Sequence, residues 1–216
     1  MVAHNPVLAA TAPEALSENS KGLRLNPRAL FEEHSQKIDF LLLESLKGRS
    51  VVSARTFTRE LVVELCKFAA LLEMTEIAEH RPLDGKLVIT AFFEASTRTR
   101  LSFESAVLRL DGKVVSVPDG KVTGIAKGES LADIGEMFNT YGDLVVMRHP
   151  DTDAVELTQR NLKLPLINAG NGTGEHPSQA LLDWYTLLKW RPELAVPDCP
   201  AVRTSARAMP NSVRSS

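Results

Sequence analysis

The densest group of side chains that could do chemistry lies within five consecutive residues, Ser96, Thr97, Arg98, Thr99 and Arg100. An apolar run precedes the group and a helical pattern follows it, which predicts a position where a strand gives way to a helix. The first backbone N–H groups of a helix are unpaired, and the helix dipole makes that end positive. With the hydroxyl and guanidinium groups, they predict a binding site for a small anion that carries a phosphate group.

A simpler interpretation of these residues is that Ser96 or Thr97 caps the helix, while the arginines are solvated and Glu104 completes a local charge pattern. The longer string 92–104 decides between the two, because it resembles the carbamoyl phosphate signature of the aspartate and ornithine transcarbamoylase family. The resemblance implies that carbamoyl phosphate is the ligand. The residues of this string that it assigns to substrate binding are Ser96, Thr97, Arg98 and Thr99.

The second candidate, Lys127, lies in the glycine-rich segment 120–133. A lysine in such a loop is by itself more often a surface residue. In the family that the chain resembles, a loop ending in Lys-Gly-Glu reaches the active site of a neighbouring subunit, and a hydroxyl side chain precedes the lysine by four residues. The resemblance therefore implies that Lys127 and Thr123 bind substrate, and that the sites lie at the subunit interfaces of a homotrimer.

The third candidate, Arg148, ends the apolar run 145–147 and is followed by His149. Considered alone, it could equally be an ordinary residue at the rim of a sheet. The family has an arginine in the same Val-x-Arg-His sequence, and the resemblance implies that Arg148 contacts the carbonyl oxygen of carbamoyl phosphate. We expect His149 to have a structural role.

The fourth candidate is the sequence His-Pro-Ser-Gln at 176–179, which follows glycines at 170, 172 and 174. This glycine spacing, after a late strand, is not that of a dinucleotide-binding fold, so a nicotinamide or flavin site is not expected. The sequence is similar to the His-Pro-Thr-Gln of aspartate transcarbamoylases, whereas ornithine enzymes typically have Cys at the third place. The resemblance implies that His176 donates to the carbamoyl oxygen and that Gln179 holds the carbamoyl amide.

Carbamoyl transfer requires a binding site for the phosphate dianion, hydrogen-bond donors directed at the carbonyl oxygen, and a contact that orients the amide. The resemblance implies that five residues act in catalysis, namely Arg98, Thr99, Lys127, Arg148 and His176. The departing phosphate can accept the proton of the attacking amine, so that no protein base is required. His176 has no second metal ligand at a useful spacing, and we expect neither a metal nor another cofactor.

Strands and helices alternate along the part of the chain that carries these candidates. Short apolar runs rich in β-branched residues predict strands at 87–93, 113–117, 143–147 and 164–168, and helical patterns begin near 58, 97, 129, 153 and 177. This alternation predicts an α/β fold, with a parallel sheet covered by helices on both faces and ligands at the carboxyl ends of the strands. The resemblance implies a Rossmann-like, three-layer αβα carbamoyl phosphate domain.

The domain organisation follows from where these patterns begin and end. We expect a leader with docking helices at 1–50, the carbamoyl phosphate-binding domain at 51–191, and an irregular, proline-interrupted tail at 192–216. The resemblance covers about 58–190, and we expect the second, aspartate-binding domain of the family to be missing. We therefore expect a shortened chain whose activity requires a partner that supplies that domain.

Composition excludes several other classes of function. The 216 residues are 44% hydrophobic and 24% charged, with a formal charge of −2, which is typical of a soluble globular protein and favours neither nucleic acid nor a membrane as partner. Cys66 and Cys199 are too few for a disulfide framework or a zinc cluster, and Cys66 is expected in the core. No targeting or membrane-spanning segment is apparent, so that a cytoplasmic location is expected.

Three functions remain open from the sequence. The first is carbamoyl transfer from carbamoyl phosphate to L-aspartate, giving N-carbamoyl-L-aspartate and phosphate in de novo pyrimidine biosynthesis, incomplete in the isolated chain. The second is a non-catalytic carbamoyl phosphate-binding or assembly subunit. The third is a transcarbamoylase for another amine, such as ornithine.

Overall fold

Residues 17–18, 24–32, 37–75, 81–117 and 128–195 are described by the structure, which is a computed structural model. The chain divides into two units. The sheet unit comprises Asp39–Val62 and Glu76–Leu182, and the helical unit comprises Met1–Ile38, Val63–Thr75 and Asp183–Ser216. None of the helices in the described ranges is both long and apolar enough to cross a membrane.

The elements alternate as the sequence predicts. The strands are β1 (Ser17–Glu18), β2 (Arg24–Leu25), β3 (Leu87–Phe92), β4 (Lys113–Val117), β5 (Leu144–His149) and β6 (Leu166–Asn171). The helices are α1 (Ala29–Glu32), α2 (Phe40–Glu44), α3 (Arg59–Met74), α4 (Thr97–Arg109), α5 (Leu131–Phe138), α6 (Ala154–Gln159) and α7 (Pro177–Trp190). Short 3-10 helices cover Ala54–Thr56 and Pro192–Ala195.

The sheet unit is built on four parallel strands in the order β4-β3-β5-β6. Val51 forms a further parallel bridge to Ile167, so that the segment before α3 lies along the β6 edge. Successive residues of a strand point to opposite faces of a sheet, and β3 and β5 are buried on both sides. The sequences of these strands are therefore mostly continuous apolar runs, as expected for a sheet with two covered faces.

One face of the sheet packs against α5 and α6, where Ile89 and Val145 of the strands meet Ile134 and Val155 of the helices. The start of α5 is specified locally by a capping box. Its N-cap Ser130 accepts a hydrogen bond from the backbone N–H of the third helical residue, whose carboxylate accepts one from the Ser130 backbone in return.

The opposite face of the sheet packs against α4, through Val88 and Val146 of the strands and Val107 of the helix. Helices therefore cover both faces of a parallel sheet, and the predicted three-layer α/β fold is confirmed.

Close packing of α5 on α6 depends on Gly135. A Cβ atom added there would overlap the carbonyl oxygen of Thr158 and lie 3.2 Å from its carbonyl carbon. Because that obstacle is backbone, the helices would have to separate, and we expect Gly135→Ala to lower the free energy of unfolding by about 2 to 3 kcal/mol. Urea unfolding followed by circular dichroism measures this. Glu136→Ala, at the next and exposed position, is the control and should change stability by less than about 0.5 kcal/mol.

The predicted strand and helix ends differ from the observed ones in an informative way. Strand β4 has the predicted bounds and helix α7 begins at the predicted residue, whereas β5 and β6 end two and three residues beyond their predicted ends. The extensions are polar or glycine-containing, and backbone hydrogen bonds hold them: Phe93 donates to the Arg148 carbonyl at 2.8 Å, and Gly172 donates to the His149 carbonyl at 2.9 Å. Strand ends that carry polar functional side chains lack the apolar pattern by which strands are predicted.

In the helical unit, Leu30, Cys66, Ala70 and Leu188 are buried. Cys66 is a core residue as predicted, and burial raises the pKa of its thiol to about 12, so that the thiol remains protonated. On the surface of this unit, Tyr185 donates a hydrogen bond to the Glu73 carboxylate, which also pairs with the ammonium group of Lys189. Helices α1 and α2 lie within the predicted segment of leader and docking helices, and residues 33–36 and 196–216 lie outside the described residues.

Candidate functional site

Three loops at one edge of the sheet carry most of the predicted site residues. These loops follow β3, β5 and β6, which are neighbours in the sheet and run in the same direction. Their carboxyl ends therefore meet, and the fold brings the start of α4, Arg148 and the start of α7 to the same edge. Thr123 and Lys127, predicted to bind substrate, lie outside the described residues.

The start of α4 presents its backbone and hydroxyl groups without a side-chain cap. Ser96 is the N-cap residue with an extended backbone, but its side chain makes no capping hydrogen bond. Thr97 and Arg98 are exposed, and Thr99 is half-buried. The interpretation of Ser96 as a simple helix cap is therefore not supported, and the first turn keeps its N–H groups available to an anion.

The two arginines of this segment have different surroundings. Arg100 lies along the helix toward Glu104, with 3.9 Å between its Nε and the carboxylate. That carboxylate is fixed in turn by Thr90 at 2.9 Å and Ser116 at 2.8 Å, both of which donate to it. Arg100 thus faces a structural carboxylate, whereas Arg98 remains the exposed guanidinium at the helix start.

Arg148 is held in place by its neighbours on both sides. Its Nη1 donates to the Ala169 carbonyl at 3.1 Å, and its Nη2 lies 2.8 Å from Oε2 of Glu94. The contact with Glu94 is an ion pair that compensates the charge of the guanidinium, but its geometry is not that of a hydrogen bond. Among the described residues, no hydrogen-bond partner is found for Arg148 Nε or Glu94 Oε2, although both atoms are buried. Within the described residues, this pair thus contains two buried polar atoms whose hydrogen-bonding capacity is not used.

Gly170 lies between Arg148 and His176. Its φ of +117° is rarely adopted by residues with a side chain. A Cβ atom at this position would overlap Arg148 Nη1 and lie 3.2 Å from Arg148 Cζ and 3.3 Å from His176 Cδ2. The missing side chain at residue 170 thus allows the guanidinium and the imidazole to approach the same point.

His176 is oriented by the start of α7. Its Nδ1 accepts a hydrogen bond from the backbone N–H of Gln179 at 3.2 Å, and the hydroxyl of Ser178 lies at the same distance. Since Nδ1 is an acceptor, the neutral ring carries its proton on Nε2. The structure thus places a hydrogen-bond donor, rather than an acceptor, on the far side of the ring.

His149 has the structural role expected of it. The residue is buried, its Nδ1 accepts a hydrogen bond from the backbone N–H of Asp151 at 3.0 Å, and the ring contacts the Phe93 ring edge-on. Burial lowers its pKa, although the carboxylates of Asp151, Asp153 and Glu94 act in the opposite direction. The ring is therefore a packing and loop-fixing group next to Arg148.

Two residues that the sequence analysis did not single out organise the loop before His176. Asn168 is fully buried, and its amide donates to the carbonyls of Val52 and Glu175 while its oxygen accepts from Gly170 N–H. The Glu175 carboxylate accepts hydrogen bonds from Ser53 and Ala54. In the sequence, the signal for Asn168 was that a polar residue interrupts an apolar strand run.

Across the described residues, no group of three or more His, Cys, Asp or Glu is placed to hold a metal ion.

Comparison with known proteins gives a consistent result for the region that carries this site. Residues 49–189 match the family described as aspartate/ornithine carbamoyltransferase, carbamoyl-P binding domain. The chain is 47% identical over 146 residues to the aspartate carbamoyltransferase catalytic subunit of Thermococcus kodakarensis, with 66% of this chain and 47% of that protein covered. For the catalytic subunit of Dichelobacter nodosus the identity is 46% over 145 residues, with 66% and 42% covered.

Among solved structures, the chain resembles aspartate transcarbamoylase from Trypanosoma cruzi in complex with carbamoyl phosphate. The TM-score is 0.62 and the identity 42%, with 67% of this chain and 45% of that chain covered. The same enzyme in complex with carbamoyl phosphate and aspartate gives the same values. The chain spans about half the length of the curated relatives it matches.

Proposed function

The chain belongs to the aspartate/ornithine carbamoyltransferase family, and on that basis we propose that it binds carbamoyl phosphate and transfers the carbamoyl group to L-aspartate. We take residues 51–191 as the carbamoyl phosphate-binding domain. The observation that carries this proposal is the convergence of an exposed arginine at an uncapped helix start with Arg148 and His176 on either side of Gly170. This arrangement suits an anion with a phosphate at one end and a polar carbonyl at the other.

The phosphate is proposed to lie at the start of α4. Backbone N–H groups of the first turn, the hydroxyls of Ser96, Thr97 and Thr99, and the guanidinium of Arg98 supply donors and positive charge there. Lys127, with the hydroxyl of Thr123, is proposed to complete this phosphate site from a neighbouring subunit. On this proposal the active assembly is a homotrimer, and its sites lie between subunits.

The carbamoyl oxygen is proposed to lie between Arg148 and His176. The guanidinium and the Nε2–H of the imidazole are donors, and the hydroxyl of Thr99 is a third. In this arrangement the carbamoyl oxygen takes over from the Glu94 carboxylate as a partner of Arg148. Donors that are held in position before the reaction stabilise the negative charge that develops on this oxygen. Gln179 is proposed to hold the carbamoyl amide.

The proposed chemistry is a nucleophilic substitution at the carbonyl carbon. The amine of aspartate forms a C–N bond, the bond from that carbon to the bridging oxygen breaks, and the departing phosphate takes the proton of the amine. The products are N-carbamoyl-L-aspartate and phosphate, as in de novo pyrimidine biosynthesis in the cytoplasm. Aspartate, rather than ornithine, is supported by the His-Pro-Ser-Gln sequence and by relatives that are named aspartate carbamoyltransferase.

A second candidate function is a carbamoyl phosphate-binding or assembly subunit without turnover of its own. The observation that favours it is that the chain spans only about half the length of the relatives it matches. In this case the residues described above bind the anion, and an aspartate site is supplied by another polypeptide.

Calorimetry and turnover assays on the purified chain test both candidates. We expect binding of carbamoyl phosphate and of phosphonoacetamide, a stable analogue in which a methylene replaces the bridging oxygen, in preference to inorganic phosphate. Formation of carbamoylaspartate by the chain alone would establish the transferase and exclude the second candidate. Binding without turnover would favour the second candidate, and a chain that binds neither compound would contradict both.

A further inference from the structure

Glu175 lies directly before His176, and all of its polar groups are engaged. Its Oε2 accepts hydrogen bonds from the Ser53 hydroxyl at 2.7 Å and from the Ala54 N–H at 2.8 Å. Its Oε1 lies 3.2 Å from Nε of Arg55. One carboxylate thus binds three consecutive residues of the segment between the β6 edge and α3.

The backbone of Glu175 is fixed as well. Its N–H donates to the side-chain oxygen of Asn171 at 2.7 Å, and its carbonyl accepts from the Asn171 N–H at 3.3 Å. The same carbonyl accepts from the buried amide of Asn168 at 3.4 Å. Glu175 therefore joins the loop after β6 to the segment at Ser53. Contacts of both its side chain and its backbone fix the position of the residue that precedes His176.

The imidazole itself has a narrow geometric requirement. Its Cδ2 packs so close to Gly170 that a Cβ atom added to the glycine would lie 3.3 Å from it. Its Nδ1 must also stay within hydrogen-bonding distance of the Gln179 N–H. A displacement of the loop would move the ring away from Arg148 or break the Nδ1 contact. Loss of the Nδ1 contact would allow the proton to populate Nδ1 in place of Nε2.

We propose that Glu175 is a positioning residue that fixes the location and tautomer of His176 through its hydrogen bonds to Ser53 and Ala54. This inference rests on the proposed function for its effect on carbamoyl phosphate, but its effect on His176 is independent of any ligand. The two hydrogen bonds to Oε2 carry the effect, because they are part-buried, whereas the Arg55 side chain is 80% exposed and its ion pair contributes little.

Three variants separate these contacts. Glu175→Ala removes them all, and Glu175→Gln retains an oxygen that can accept from Ser53 and Ala54 but loses the carboxylate partner of Arg55. Arg55→Ala removes only the exposed ion pair. We expect carbamoyl phosphate affinity to fall about tenfold in Glu175→Ala, to stay within about threefold in Glu175→Gln, and to stay within about twofold in Arg55→Ala.

The decisive measurement is the imidazole proton–nitrogen NMR spectrum of the ligand-free chain. The signals of His176 are assigned by their loss in His176→Gln, since the chain has 5 histidines. We expect a single Nε2–H tautomer in the parent, Glu175→Gln and Arg55→Ala, and a mixture of tautomers in Glu175→Ala. If Glu175→Ala does not fold, as judged by circular dichroism, Ser53→Ala serves instead, and we expect it to give a partial mixture.

The outcomes are distinguishable. An unchanged His176 spectrum in Glu175→Ala would overturn the inference, as would a Glu175→Gln variant as impaired as Glu175→Ala. If the parent chain binds no carbamoyl phosphate, the proposed function fails, and the NMR result still decides whether Glu175 positions His176.

Discussion

Replacing Arg98 with alanine is expected to weaken carbamoyl phosphate binding about a hundredfold, which corresponds to about 3 kcal/mol. Arg98 is the exposed guanidinium at the start of α4, and Arg100 nearby faces Glu104. On the proposed pose, the substitution removes charge-assisted hydrogen bonds and leaves a phosphate dianion partly uncompensated. Because the side chain is exposed, the free energy of unfolding should change by less than about 0.5 kcal/mol. Calorimetry of ligand binding and urea unfolding measure the two quantities.

Arg109→Ala is a matched control for this prediction. It removes an exposed arginine from the last turn of the same helix, so that net charge and helix composition change equally. We expect its affinity for carbamoyl phosphate to stay within about twofold of the parent value, since charges beyond about 10 Å are largely screened at 0.1 M salt. Equal losses in both variants would show that Arg98 acts through general charge and does not contact the phosphate.

Much of the fold was predictable because each strand of the central sheet is a short, apolar run between helical patterns. Strand β4 has the predicted bounds, helix α7 begins at the predicted residue, and the parallel arrangement follows from the alternation. The ends of β5 and β6 were missed because their last residues are held by backbone hydrogen bonds to other strands and loops. Such bonds join residues that are distant in the chain, and they cannot be predicted from the periodicity of apolar side chains.

The candidate site was predictable in its residue types and less so in its contacts. The resemblance identified Arg98, Arg148 and His176, and the fold brings the segments that carry them to one edge of the sheet. The contact of Arg148 with Glu94 could not be predicted, because the two residues are 54 positions apart in the chain. Local spacing limits which pairs can form, but packing of the surrounding side chains selects among them.

Gly170 illustrates the same limit for a residue without a side chain. The sequence showed a glycine-rich segment and suggested comparison with a dinucleotide-binding loop. The structure shows instead that the glycine is required by the approach of Arg148 and His176 to its Cα. A contact of this kind involves residues 22 positions before and 6 positions after the glycine, and only the folded chain brings them together.

Gly170→Ala is accordingly expected to impair both stability and binding. The substitution places a side chain on a residue with a φ of +117° and pushes its Cβ into the guanidinium of Arg148. We expect the free energy of unfolding to fall by about 2 to 4 kcal/mol. Since Arg148 would have to leave the Ala169 carbonyl, carbamoyl phosphate affinity should fall at least about tenfold. Urea unfolding and calorimetry measure these two effects.

Gly85→Ala separates the backbone effect from the contact with Arg148. Gly85 has a φ of +73°, and a Cβ there meets no atom within 4 Å, so that we expect a loss of about 1 kcal/mol and unchanged binding. A double-mutant cycle then tests the contact directly, because Arg148→Ala removes the atoms with which the new Cβ collides. In that background Gly170→Ala should destabilise by less than in the parent, because only the backbone cost of a φ of +117° and the 3.3 Å approach to His176 Cδ2 remain. A full loss of 2 to 4 kcal/mol there would mean that backbone strain, and not the approach of Arg148, requires glycine at residue 170.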